Sequence, residues 1–123
     1  MAPRVDPVAS DEQPPVRADV VIVGGGIIGT SAALFLAERG VSAVLVEKGH
    51  IAGEQSSRNW GWCRKMARDP RELPLVIESL RLWQSMNQRV EAETGFRTCG
   101  IMYLAETEAD LGRYEAWLEH ARE

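Results

Sequence analysis

Hydrophobic patterning divides the chain into a regular first part and a less regular second part. Val20, Val21, Ile22 and Val23 form an unbroken β-branched run that predicts a strand over residues 19–23, of the kind covered on both faces in a parallel sheet. Gly24, Gly25 and Gly26 end it. Ile28, Ala32, Phe35 and Leu36 then recur at helical spacing, predicting a helix over residues 27–39 that stops at Gly40. Residues 41–47 predict a second strand, four apolar residues followed by Glu47. A helix of this length is the crossover that two parallel strands need.

Beyond Glu47 the pattern changes. Residues 48–58 are polar and contain glycine, as expected of a loop, and residues 59–66 carry Trp60 and Trp62 without a period. Asp69 and Pro70 open a long helix whose stripe runs through Leu73, Val76, Ile77, Leu80, Trp83 and Val90, with Gly95 beyond its end. Residues 96–104 predict a strand pair, or one strand bent at Gly100. Thr107 is placed to cap a last helix with Leu111, Tyr114, Trp117, Leu118 and Ala121 on one face. Acids near its start (Glu106, Glu108, Asp110) and His120 and Arg122 near its end suit the helix dipole.

The fold class expected is therefore α/β: a Rossmann-like βαβ unit with an incomplete sheet, then a long helix and a following strand pair. Only two parallel strands precede the long helix, whereas a doubly wound nucleotide domain needs a third. Residues 19–123 thus read as the N-terminal part of a truncated FAD/NAD(P)-binding domain. Residues 1–18, with Pro3, Pro7, Pro14 and Pro15 and no apolar period, read as a disordered tail.

Composition narrows the function classes. Hydrophobic residues make up 45% and charged residues 26% of 123, ordinary for a globular protein. A formal net charge of -4 argues against nucleic acid as a partner. Cys63, Cys99, His50 and His120 fall in no metal-ligand spacing, so no metal is expected. The apolar stretch at residues 20–37 is interrupted by glycines and begins too late for a secretory signal, which points to a cytoplasmic protein.

The chemistry concentrates at the first turn. Gly24-Gly25-Gly26-Ile27-Ile28-Gly29 matches G-x-G-x-x-G between a strand and a helix. Gly24 permits the tight turn, Gly26 leaves room for a pyrophosphate, and Gly29 lets the helix approach the sheet. The first helical amides, at Ile27 and Ile28, offer N–H groups and a positive dipole end to the phosphates. Glu47 stands eighteen residues after Gly29, at the end of the second strand. A carboxylate there accepts from the adenosine ribose hydroxyls and repels a 2′-phosphate.

This βαβ string, followed by Ser56-Ser57-Arg58-Asn59-Trp60-Gly61, resembles the D-amino-acid oxidase and dehydrogenase family of FAD-dependent oxidoreductases, which includes glycine oxidase and sarcosine oxidase. The resemblance extends from residue 19 to about residue 104. It implies that Lys48 lies beside the adenine. Ser56, Ser57 and Arg58 would approach the pyrophosphate or ribityl chain, and residues 59–61, Asn59 first, the flavin ring. Some relatives attach FAD through a histidine in this loop. None occurs between Ser56 and Met66, which implies non-covalent binding at this segment. Arg64 is the candidate for a substrate carboxylate, which a guanidinium fork fits bidentately.

The implied reaction is hydride transfer from the α-carbon of an amine or amino acid to flavin. Hydrolysis of the imine follows, and oxygen or a quinone reoxidises the flavin. The resemblance places most substrate residues in a later domain, so the 123 residues alone are expected to be inactive, and it is compatible with a hetero- or homo-oligomer. Two alternatives stay open on the residues: an NAD-dependent Rossmann dehydrogenase, which shares the glycines and the acid, and a non-catalytic accessory or truncated flavin-binding chain.

Overall fold

A computed structural model describes residues 4–122, in two compact units, residues 1–61 and 62–123. Residues 1–3 of the N-terminal tail lie outside the described residues, and residues 4–18 contain no helix or strand.

The first unit is a parallel βαβ crossover. Strand β1 (Val20–Val23) leads through the glycines into α1 (Ile27–Ala37) and back to β2 (Ala43–Val46). The register pairs Val20 with Ala43 and Val23 with Val46. Asp19 sets the entrance, its backbone N–H donating to the Ser42 carbonyl (3.0 Å) while its carboxylate accepts from the Ser42 amide (3.3 Å). Helix α1 ends at Gly40 (φ 70°), where the Gly40 amide reaches Ala37 O (2.9 Å) and the Val41 amide reaches Leu36 O (3.0 Å). These two bonds form a Schellman closure, which favours glycine at the left-handed position. One face of β1 stays open, with Val21 62% and Val23 85% exposed.

The second unit departs from the periodic reading. Pro70–Glu72 is a 3-10 turn capped by Asp69, whose carboxylate accepts from the Arg71 amide at 2.9 Å. The α-helix proper, α2 (Leu73–Gln84), starts three residues later than expected, with Pro74 in its first turn. A proline further inside would have cost a backbone bond. The stripe does not run unbroken to Val90. Ser85 interrupts it (φ -106°, ψ 3°) with both its amide and its hydroxyl on Leu82 O, and a four-residue helix, α3 (Met86–Arg89), follows. Side-chain hydroxyls that bond back to the helix compete with its ladder.

The strand pair expected at residues 96–104 does not form; no strand is present there. A strand needs a ladder partner, and Gly100 (φ 75°) turns the segment. Its aromatic side chains pack on helices instead. Phe96 stacks on Trp83 at 5.8 Å between centroids, and Tyr103 meets Tyr114 edge-on at 5.7 Å. The last helix, α4 (Glu108–Ala121), forms as expected. Thr107 Oγ1 accepts from the Asp110 amide (3.1 Å), and the Asp110 carboxylate accepts from the Thr107 amide (3.0 Å). This capping box satisfies two N–H groups that the helix cannot. Among the described residues, Leu73 is the buried hydrophobic side chain, and no helix is long and apolar enough to cross a membrane.

Candidate dinucleotide site

Backbone without side chains builds the turn from β1 into α1. Gly24 adopts φ 104°, a conformation that L side chains resist. A Cβ on Gly29 would run into the Gly24 carbonyl oxygen and lie 3.2 Å from Ile22 Cγ2, so the bare glycine lets α1 rest on the end of β1. Gly26 has ordinary extended geometry (φ -79°). What it supplies is space, since a Cβ there would sit 2.9 Å from Ser56 Oγ. A cleft of about 470 Å³ opens over this turn, lined by Gly24, Gly26, Ile28, Gly29, Ser56 and Asn59, with Gln55 beside them.

The N-terminus of α1 faces the cleft. Thr30 N–H closes the first turn onto Gly26 O (2.9 Å). The preceding amides, at Gly26, Ile27, Ile28 and Gly29, have no acceptor within the helix. One of them is already taken. Ile27 N–H donates to Ser56 Oγ at 2.8 Å, so Ser56 caps α1 from a residue 29 positions away. Its oxygen receives the amide, which leaves its O–H group as a donor. The sequence placed Ser56 near the phosphates but showed nothing of this cap.

Glu47 reaches the same turn. Its Oε2 accepts from Gly25 N (2.7 Å) and its Oε1 from Gly49 N (2.8 Å). These amides, Gly25 first, hold the carboxyl below its ordinary pKa, so it stays ionised at neutral pH. A carboxylate offers about four acceptor positions, so two sharing amides leave room for a diol. The Gly25 carbonyl in turn accepts from Ala52 N at 2.8 Å.

Four of the other expected residues, Lys48, Ser57, Arg58 and Asn59, lie in the chain that follows β2. Asn59 donates to Ser56 O and accepts from Gly61 N, both at 2.6 Å, which shapes the turn at Gly61 (φ 69°). Ser57 Oγ donates to Glu54 O (3.1 Å). Lys48 and Arg58 both pair with Glu54, at 3.8 and 3.2 Å, on the exposed surface. Arg64 belongs to the second unit. There its guanidinium donates to Met66 O and lies 6.0 Å from the centre of the Tyr103 ring. Glu54, Gly25 and Gln55 were missed from sequence. Gly25 alone carried a signal, as an extra glycine inside the motif, whereas Glu54 and Gln55 are ordinary loop residues.

The donor set fits a nucleoside diphosphate. Helix amides and bare glycines face the cleft for an anion, and an ionised acceptor stands at the turn for a sugar.

The family model for FAD-dependent oxidoreductases (DAO) matches residues 19–123. Sarcosine oxidase subunit beta from Arthrobacter sp. is 33% identical over 104 residues, 83% of this chain and 26% of the relative. The mitochondrial pyruvate dehydrogenase phosphatase regulatory subunit of Mus musculus is 33% identical over 98 residues, 79% of this chain and 11% of the relative. The solved structure of L-amino acid deaminase from Proteus myxofaciens in complex with anthranilate superposes with a TM-score of 0.90 at 38% identity, covering 98% of this chain and 27% of that one. The chain thus spans about a quarter or less of the length of these relatives. The glycine turn, the acid after β2 and the match over residues 19–123 together make this chain a member of the DAO family of FAD-dependent oxidoreductases.

Proposed function

We propose that this chain supplies the ADP-binding part of the FAD site in an enzyme that oxidises an amine or amino acid. The observation that carries the reading is the cleft over the glycine turn at the start of α1, with Glu47 tied to the same turn. Gly24, Gly26 and Gly29, with the amides of Ile27 and Ile28, seat the diphosphate. Glu47 holds the ribose, and Lys48 lies toward the adenine. Ser56, Ser57, Arg58 and Asn59 continue along the cofactor toward the flavin. When bound, FAD accepts the hydride that leaves the α-carbon of the substrate. Arg64 is the candidate to hold a substrate carboxylate, for which its guanidinium must exchange the Met66 carbonyl for the ligand. The substrate class follows sarcosine oxidase and L-amino acid deaminase, to which the chain is similar. Oxygen or a quinone is the proposed electron acceptor.

The test is spectroscopic. The purified enzyme that contains these residues should carry a flavin band near ~450 nm that an amino acid or amine bleaches when oxygen is excluded. Colourless protein that binds NADH overturns the reading. A second reading, a flavin-binding accessory chain, draws on the regulatory subunit among the relatives. It predicts a retained flavin band that no amine or amino acid bleaches.

A further inference from the structure

The β2–loop segment grips the glycine turn more firmly than ribose binding alone requires. Glu47 spans two backbone amides, one in the turn (Gly25) and one in its own loop (Gly49). Ala52 N–H holds the Gly25 carbonyl, and a Cβ on Gly25 would strike Ile51 Cδ1 and stand 3.3 Å from Glu47 Cβ. Gly25 is thus held at its amide, at its carbonyl and across its Cα, and it is buried. It lies between Gly24, which turns the chain, and Gly26, which lines the cleft.

We propose that Glu47 is a positioning residue for the diphosphate seat, acting through the Gly25 amide and independently of any contact with the sugar. This rests on the dinucleotide reading above. The chemistry follows from the geometry. Both prongs are charge-assisted bonds from backbone N–H to carboxylate, the stronger class of hydrogen bond. Glutamine keeps the length but replaces one oxygen with an NH₂ that opposes an amide donor. Aspartate is one methylene too short to span both amides. Either change leaves one of the two amides, at Gly25 or at Gly49, without its acceptor and breaks the span between them, and the seat loses its shape even for a ligand with no ribose hydroxyl.

A ligand–mutation cycle tests this. ADP and 2′,3′-dideoxy-ADP are titrated calorimetrically into the whole chain, native and with Glu47→Gln. A residue that serves only the sugar would weaken ADP and leave dideoxy-ADP untouched. The expected result is a loss of about tenfold or more for both ligands, the scale of one charge-assisted hydrogen bond. A loss confined to ADP, or no loss for either, overturns the proposal. Should neither nucleotide bind the native chain, the dinucleotide reading fails, and amide hydrogen exchange then judges the clamp without a ligand. At least one of the Gly25 and Gly49 amides should exchange about tenfold faster or more in Glu47→Gln; unchanged exchange at both refutes the clamp. Should that variant not fold, native protein suffices. The Gly25 and Gly49 amide resonances should shift together with the Glu47 carboxyl carbon on acid titration, and amides that ignore that carboxyl refute it.

Discussion

The two units differ in what holds their distant segments together. In residues 1–61 the long-range contacts depend on missing side chains: α1 rests on β1 at Gly29, and the loop after β2 closes on Gly25 and Gly26. In residues 62–123 they depend on large ones. Tyr103 Oη donates to Met66 O (3.4 Å) across 37 residues, and Trp117 Nε1 donates to Arg68 O (3.2 Å) across 49. Close backbone approach leaves a cleft with largely apolar walls over the first amides of α1, which are its donors for a small anion. Aromatic hooks fill space and brace irregular segments. The difference explains why the candidate site lies in the first unit, although the second carries more aromatic side chains.

Substitutions sharpen this contrast, beginning with the largest effect. Gly29→Val puts a branched side chain against the Gly24 carbonyl. It should cost about 3 kcal/mol, the upper end for overpacking, and abolish FAD retention, as read by chemical denaturation and flavin absorbance. If Gly29→Val is as stable as the native chain, the close approach is not what holds the first unit together. Gly26→Val has an unstrained backbone (φ -79°) but fills the cleft near Ser56. It should lose flavin at least about tenfold with a smaller change in unfolding midpoint, and full flavin occupancy would contradict the assignment of the turn.

Thr107→Ala probes the other unit. Removing the cap of α4 should cost about 1 kcal/mol and leave flavin affinity unchanged. A fall in flavin affinity would contradict the assignment of the cofactor seat to the first unit. Acid should act on the first unit through Glu47. Its folded pKa lies below the ordinary value of 4.5 because the Gly25 and Gly49 amides favour the charged form. The stabilisation is therefore full above about 4.5 and is lost as pH falls through the folded pKa. The pH of half-release of flavin should move in Glu47→Gln; a release curve identical to native would remove Glu47 from the acid response.

The first unit was legible because its information is local. A β-branched run, a glycine motif and an acid at the next strand end specify one crossover, whose elements are shorter in the structure, with α1 ending at Ala37 and β2 starting at Ala43. The Thr107 cap was legible for the same reason, since its partner is three residues away. The strand pair at residues 96–104 was misread because apolar and aromatic residues on either side of Gly100 suit strands, yet no neighbouring strand pairs with them in the described chain. The long helix was misread in its details, because Pro74 and Ser85 set its limits against the apolar stripe.

By itself, the sequence determined where the backbone must be bare and where a carboxylate follows it, since glycine conformation and strand–helix periodicity are properties of neighbouring residues. Only the tertiary structure decided that Ser56 takes the Ile27 amide, that Glu47 grips Gly25, and that Arg64 lies over Tyr103. Those pairings join residues 29, 22 and 39 positions apart, and no local propensity selects among the many partners a flexible loop can meet before packing excludes the rest.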